Sequence, residues 1–210
     1  GVPTKTEQGD LWQVLGASQG DFPKLIHAPT SPLDGFQTIP LVFNLAEKYQ
    51  LPAMILSDLL ISDETATVDP SLLDMHPDID RAGLIMEAGD EAGEYERYKF
   101  TESGISPRAL PGLPGYEHVV ATDEHMPDGV LISDEFTHPH KRRAMMEKRQ
   151  RKMDGLLAEL PPPRIVGDPD AEVTLVGWGS TEGVIQEGIE QLAEQGITAN
   201  HLHFTWIVPF

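Results

Sequence analysis

Two short apolar segments, each bounded by prolines or turn residues, most constrain how this chain folds. The first runs from Pro23 to Pro29 and the second from Leu51 to Asp58. Thr30 to Lys48 separates them and has the pattern of a helix, which Pro40 can kink. Near-continuous apolar strands that alternate with helices are typical of a parallel sheet. The sequence therefore predicts an α/β layer with two buried strands.

The chain begins with a Gly-Val-Pro turn that runs directly into a helix-forming segment. Gly tolerates a positive φ and Pro sets the next φ, a combination suited to a backbone that passes close to a ligand. Thr4 is expected to cap the helix, with Glu7 completing a capping box. The apolar segment Asn200 to Phe210 ends without a helix to cover it. We therefore expect the 210 residues to be a piece of a longer polypeptide.

The charge balance argues against two classes of partner. Asp and Glu number 34 against 15 Lys and Arg, a net charge of −19, which would repel nucleic acid and anionic membranes. The chain has no cysteine, so it supplies no disulfide, thiolate zinc site or iron–sulfur cluster of its own. No apolar run approaches the ~20 residues of a membrane-spanning helix. These features predict a cytoplasmic globular protein that binds neither nucleic acid nor membrane.

The segment from residue 61 to residue 139 lacks periodicity and is rich in Pro, Gly and acidic residues. Irregular stretches of this length are usually functional or interfacial, so we expect it to contact another subunit. His140 to Leu160 regains a helical pattern. Its basic runs, Lys141 to Arg143 and Lys148 to Lys152, are interpreted as a solvated face or one that docks on acidic neighbours.

Pro161 to Pro163 is expected to be a stiff linker between residues 1–160 and a second unit, residues 161–210. The second unit reads as a strand (171–176), a tight turn (177–180), a helix (181–195) and a strand region (197–208). This order predicts one βαβ unit, about half of a small α/β domain.

Three groups of residues are candidates for binding. Thr4, Lys5 and Thr6 place two hydroxyls and an ammonium beside a helix start, which suits a carboxylate or phosphate, or else ordinary capping. The turn Gly177 to Thr181 can bind an anion or simply let a strand and a helix approach closely, and we favour the second. Four histidines in or beside the irregular segment are better explained as hydrogen-bonded loop side chains than as metal ligands: His118, His125, His138 and His140.

Several motifs, in order across nearly the whole chain, resemble the α subunits of 2-oxoacid:ferredoxin oxidoreductases. The matching segments are Gly1 to Leu11, Asn44 to Tyr49, Leu56 to Asp58, Tyr98 to Gly112 and Val176 to Thr181. The part from Gly104 to Gly112 is specific to that family and not a general fold signal.

The resemblance implies a fold, a reaction and a set of partners. The fold is a parallel-sheet, pyrimidine-type thiamine-diphosphate-binding domain, followed by the first half of a transketolase C-terminal-like α/β domain. The reaction is oxidative decarboxylation of a 2-oxoacid to acyl-CoA, with electrons passed to ferredoxin. We favour 2-oxoglutarate, with pyruvate and branched-chain oxoacids as alternatives. A β subunit would supply Mg²⁺ and a [4Fe-4S] cluster in a dimer of heterodimers.

The resemblance also assigns residues. The family's catalytic Glu and substrate-binding Arg correspond to positions before Gly1, so no catalytic residue is expected in this chain. Thr4 follows the family's Gly-Pro-Ser-Thr-Gly turn and is expected to face the substrate pocket. Arg108 would hold a coenzyme phosphate or fasten the irregular segment to the partner, the latter being favoured. The family's acidic loop appears as Glu124 to Gly129, with Met-Pro in place of an acidic pair. The alternative function is a catalytically silent structural or interaction subunit.

Overall fold

The computed structural model describes residues 8–16, 18, 20–63, 65–120, 123–132 and 138–210. In chain order the elements are α1 (Gln8–Gly16), β1 (Leu25–His27), α2 (Pro32–Tyr49), β2 (Ala53–Ile55), α3 (Leu59–Asp63), a 3₁₀ turn (Pro70–Leu72), α4 (Pro139–Glu159), β3 (Arg164–Val166), β4 (Val173–Trp178), α5 (Thr181–Glu194), β5 (Ala199–Phe204) and β6 (Trp206–Val208). The predicted α/β class is confirmed, whereas the capping box of Thr4 and Glu7 lies outside the described residues.

The first sheet has the strand order β2-β1-β6. β1 and β2 run parallel, with Leu25 opposite Ala53, which confirms the predicted pair. β6 runs antiparallel to β1, with Val208 opposite Ile26. All of β1 is buried, but β2 is only partly so. The prediction of two buried strands was wrong for β2, because it lies at the edge of the sheet.

The second sheet has the order β3-β5-β4. β4 and β5 are parallel and joined by α5, which confirms the predicted βαβ unit. The expected turn at residues 177–180 begins later than predicted, since β4 continues to Trp178. The strand region 197–208 is divided at Thr205 between the two sheets, and β3 had no counterpart in the sequence reading. The boundary between residues 160 and 161 stays a prediction, although β6 pairs back onto β1.

Helix α2 provides much of the core. Its start is set by Ser31, whose side chain accepts a hydrogen bond from the backbone N–H of Asp34 (3.1 Å), and by a proline in the first turn. The helix continues through Pro40 to Tyr49. Its buried face packs in a cluster with β1, α4 and β6, made of Leu25, Val42, Leu45, Tyr49, Leu51, Leu156 and Trp206.

The described residues between α3 and α4 are largely loop. They contain one 3₁₀ turn and short isolated bridges. The loop rests directly on α4 at Gly104, which has φ +80°. A Cβ there would lie 2.2 Å from the backbone oxygen of Lys148. Only glycine allows this approach, so the close contact between the loop and α4 depends on this one residue.

Candidate functional site

Of the four predicted site residues, only Arg108 lies among the described residues. Its Nη2 donates to Glu47 Oε2 (2.5 Å) on α2 and to the backbone oxygen of Arg81 (3.3 Å). The hydrogen bond from Arg108 is the main reason that the pKa of Glu47 lies below its ordinary value. Arg108 therefore fastens two parts of the irregular segment to α2 within this chain. Thr4, Lys5 and Thr6 lie outside the described residues.

A group of cations on and near α4 is the most unusual feature of the structure. Lys148 is 3% exposed and Lys152 is 9% exposed, although their basic run was expected on a solvated face or on one that docks on acidic neighbours. Lys148 Nζ donates to the backbone oxygen of Tyr98 (2.6 Å), and Lys152 Nζ donates to that of Gln50 (2.8 Å). Burial first, and then the neighbouring cations, together lower the pKa of each ammonium to about 8. We call this group, together with Arg97 and Arg149, the cationic cluster.

Only one member of the cationic cluster has a carboxylate partner among the described residues. Arg149 grips Glu124 with two hydrogen bonds, from Nη2 to Oε1 (2.6 Å) and from Nη1 to Oε2 (3.3 Å). Arg97 instead donates through Nη1 to Gln50 Oε1 (3.1 Å) and to the backbone oxygen of Pro107 (3.3 Å). The expectation that the basic runs dock on acidic neighbours is thus confirmed for Arg149 and wrong for Lys148 and Lys152.

The loop Glu124 to Gly129 forms a tight turn held against the cationic cluster. The ring of His125 stacks on Tyr98 with 3.8 Å between centroids, and burial lowers the pKa of His125. Gly129 has φ +88°, and a Cβ there would lie 1.8 Å from the backbone oxygen of Val119. The loop therefore has a clear structural task, which is to bring Glu124 to Arg149.

Among the described residues, the loop histidines do not assemble into a metal site. His118 contacts the backbone oxygen of Tyr116 (3.0 Å), and the rings of His138 and His140 pack edge to face. Across the described ranges, no set of three or more His, Cys, Asp or Glu side chains is placed to hold a metal ion. The chain also lacks the thiolates that an iron–sulfur cluster needs.

The turn between β4 and α5 is explained by close packing, as favoured from the sequence. A Cβ at Gly177 would lie 2.3 Å from Ile185 Cδ1, so the strand and the helix touch there. Thr181 Oγ1 accepts from the N–H of Trp178 (3.1 Å), which closes the turn. Ser180 Oγ donates to Asp58 Oδ2, which joins this turn to the segment after β2.

Three further histidines are buried where the two sheets approach each other. His27 lies on β1 against the ring of Trp206 (4.6 Å), and His203 Nδ1 lies 3.3 Å from His201 Nε2 on β5. Among the described residues, His201 Nδ1 and His203 Nε2 have no hydrogen-bond partner. Burial is the main cause that lowers the pKa of all three imidazoles below 6.5. They are therefore held neutral near pH 7.

We expect these histidines to make the protein less stable in mild acid. The unfolded chain takes up protons near pH 6.5, whereas the folded chain takes them up only at lower pH, so acidification through 6.5 favours unfolding. Urea unfolding of the full-length protein should show a free energy of unfolding that falls from about pH 7.5 to about pH 5.5. His27→Gln should flatten this slope. The exposed His76→Gln is the control, and an equal slope in both variants would contradict the explanation.

Sequence reasoning missed the buried lysines, although a signal was present. Met145, Lys148, Lys152 and Leu156 are the buried residues of α4 and follow one another at spacings of three and four. Such spacing places them on one face of the helix. The two lysines therefore occupy the apolar stripe itself, which is a stronger sign of a special environment than their membership of a basic run.

Comparison with known proteins agrees with this architecture. Residues 1–148 match the family model described as pyruvate flavodoxin/ferredoxin oxidoreductase, thiamine-diphosphate-binding. The chain is 34% identical to 2-oxoacid:ferredoxin oxidoreductase 1 subunit alpha of Sulfurisphaera tokodaii, over 91% of this chain and 30% of that protein. It is also 34% identical to 2-oxoglutarate oxidoreductase subunit KorA of Mycobacterium tuberculosis, over 100% of this chain and 31% of that protein.

A solved structure extends the match to the whole chain. The 2-oxoglutarate:ferredoxin oxidoreductase of Magnetococcus marinus, determined with 2-oxoglutarate, coenzyme A and succinyl-CoA bound, superposes with a TM-score of 0.78 at 29% identity. The match covers 100% of this chain and 35% of the chain in that structure. This chain thus spans about a third of the length of these relatives. Within the described residues, no helix is both long and apolar enough to cross a membrane.

Proposed function

We propose that this chain is part of the α subunit of a cytoplasmic 2-oxoacid:ferredoxin oxidoreductase. The chain belongs to the thiamine-diphosphate-binding pyruvate flavodoxin/ferredoxin oxidoreductase family. The observation that carries the proposal is the superposition of the whole chain on a 2-oxoglutarate:ferredoxin oxidoreductase. The identity of 34% to a 2-oxoglutarate oxidoreductase subunit supports the same substrate. We therefore favour 2-oxoglutarate over pyruvate and branched-chain oxoacids.

The proposed reaction converts a 2-oxoacid and coenzyme A to acyl-CoA and CO₂, and two electrons reduce ferredoxin. Thiamine diphosphate, when bound, supplies the nucleophilic carbon and the electron sink. Mg²⁺ and a [4Fe-4S] cluster are assigned to a partner β subunit, in a dimer of heterodimers. The absence of cysteine from this chain fits that division, since the cluster needs thiolate ligands.

The chain's own contribution is proposed to be positioning. The cofactor- and substrate-facing groups assigned to it are Thr4, Lys5 and Thr6, at the start of the segment that leads into α1. The described residues provide the support for that segment. Lys24, for example, donates through Nζ to the backbone oxygens of Leu15 (2.6 Å) and Val14 (3.3 Å), which are carbonyls at the end of α1.

An activity assay tests the proposed function directly. The intact complex, verified to hold its cluster and thiamine diphosphate, is assayed anaerobically for coenzyme-A-dependent reduction of methyl viologen with a panel of 2-oxoacids. We expect turnover that requires thiamine diphosphate, with the highest kcat/KM for 2-oxoglutarate. A higher value for pyruvate would overturn the substrate. No turnover with any oxoacid would favour the alternative, a catalytically silent structural subunit.

Thr4 offers a test at one residue. Valine has nearly the same volume as threonine but lacks the hydroxyl. Replacing Thr4 with Val therefore removes any hydrogen bond to substrate or thiamine while the shape is kept. We expect kcat/KM for 2-oxoglutarate to fall roughly tenfold, the usual effect of a lost hydrogen bond in a buried site. Thr67→Val, at an exposed position of the irregular segment, is the control for the loss of a threonine hydroxyl. Kinetics equal to those of the unsubstituted enzyme would remove Thr4 from the site.

A further inference from the structure

The cationic cluster borders a cavity that none of the known features of this chain explains. The cavity has a volume of about 220 Å³ and opens between α4 and the segments that precede β1 and β2. Its lining includes Arg97, Lys148, Arg149 and Lys152, together with Pro23 and Pro52. This volume is enough for several waters or one small polyatomic ion.

The two lysines have hydrogen-bonding capacity left over. An ammonium group carries three N–H donors, and each lysine gives one to a backbone carbonyl. Across the described residues, no carboxylate lies within ion-pairing distance of Lys148, Lys152 or Arg97. Glu124 is already engaged by Arg149. The charged groups that shift the two lysines are all cations. Arg149 and Arg97 act on both lysines, and Lys152 and Arg151 also act on Lys148.

Burying several cations together costs free energy unless an anion pairs with them. Buried charges are normally paired, because their transfer out of water is unfavourable. Here the chain as a whole carries a net charge of −19, yet it collects four cations around one cavity with a single nearby carboxylate in contact. Among the described residues, the four cations of the cluster therefore share a single carboxylate in contact, that of Glu124.

We propose that this cavity binds a phosphate-type dianion, held by Lys148, Lys152 and Arg97. The lysines are four residues apart on α4, a rise of about 6 Å along the helix, so one tetrahedral oxyanion between them can accept from both ammonium groups. Arg97 adds a planar donor on the side of the loop. The ligand is either the free ion or a phosphate carried by a larger molecule.

Lysine reactivity tests the proposal without any substitution. The full-length protein in its complex is treated with a small acetylating ester in sulfate- and phosphate-free buffer, and acetylation of each lysine is measured by mass spectrometry. Inorganic phosphate at ten times its Kd should slow acetylation of Lys148 and Lys152 about tenfold by mass action. Lys99, exposed on the neighbouring loop, should react at an unchanged rate.

A second arm identifies the source of the phosphate. Protection by inorganic phosphate means that the free ion is sufficient, whereas protection by adenosine 5′-monophosphate alone means that the phosphate is carried. Either result supports the site. Failure of both to protect Lys148 and Lys152, or equal protection of Lys99, overturns it.

Titration calorimetry with inorganic phosphate, or with adenosine 5′-monophosphate if only that protects, then assigns the site to residues. Lys148→Met and Lys152→Met should each weaken binding about tenfold or more, the loss expected for a charge-assisted hydrogen bond. Lys99→Met removes an equal charge from the same region and should change the affinity less than about threefold. If Lys148→Met does not fold, Lys152→Met decides alone. If the variants that fold bind the phosphate ligand as tightly as the unsubstituted protein does, the assignment of the site to these lysines is wrong.

Discussion

Gly104→Ala should destabilise the full-length protein by about 3 kcal/mol or more, because the added methyl group meets the backbone of α4. Its Cβ would lie 2.2 Å from the backbone oxygen of Lys148, 3.2 Å from Lys152 Cγ and 3.3 Å from Arg151 Cβ. A backbone oxygen inside α4 cannot move without loss of helical hydrogen bonds. The substitution must therefore displace the loop, and urea unfolding should show a clearly lower midpoint.

Gly112→Ala separates the clash from the backbone conformation. Gly112 has φ +89°, close to the +80° of Gly104, but an added Cβ there meets no atom within 4 Å. It should cost only about 1–2 kcal/mol, the penalty for an L-residue in the left-handed region. Equal losses from the two substitutions would show that the contact of Gly104 with α4 does not contribute.

Glu124→Gln should destabilise the protein by about 2 kcal/mol. The substitution keeps the shape and one hydrogen-bond acceptor but removes the carboxylate that faces Arg149. Breaking a buried ion pair costs about 3–5 kcal/mol, and we reduce this because the Arg149 side chain is 30% exposed. The loss is made worse by Lys148 and Lys152, whose charges then have still less compensation. Thermal or urea unfolding of the full-length protein measures the effect.

The ion pair of Arg164 with Glu182 provides the matched control. It has a similar N–O distance, 2.9 Å, but its arginine side chain is 56% exposed and lies apart from the cationic cluster. Glu182→Gln should therefore cost less than about 1 kcal/mol, as is usual for surface pairs. If both substitutions cost the same, the environment of Glu124 is no different from the surface and the argument fails.

Part of the site was within reach of the sequence and part was not. The spacing of Met145, Lys148, Lys152 and Leu156 is a sequence fact, and it places the lysines on the buried face of α4. The carbonyl of Gln50 that receives Lys152 is more than a hundred residues away along the chain. Periodicity describes the order within one helix and contains nothing about which distant loop lies against it, so the partners of the lysines could not be predicted.

The strands show the same division. The apolar run at β1 and the alternation of strands and helices determined the α/β class and the parallel pairing of β1 with β2, because these follow from local pattern and connection length. The sequence likewise determined the βαβ unit of β4, α5 and β5. Only the tertiary structure decided that residues 197–208 divide at Thr205, with β5 in one sheet and β6 in the other.

The physical reason is that local preference is a property of neighbouring residues, whereas pairing and burial depend on what the rest of the chain places nearby. The sequences of β5 and β6 both favour a strand, and nothing in their composition says which of the two sheets each will join. Gly104 illustrates the same point. The sequence shows only that a residue tolerant of positive φ stands at this position. Only the approach of α4 makes that glycine necessary.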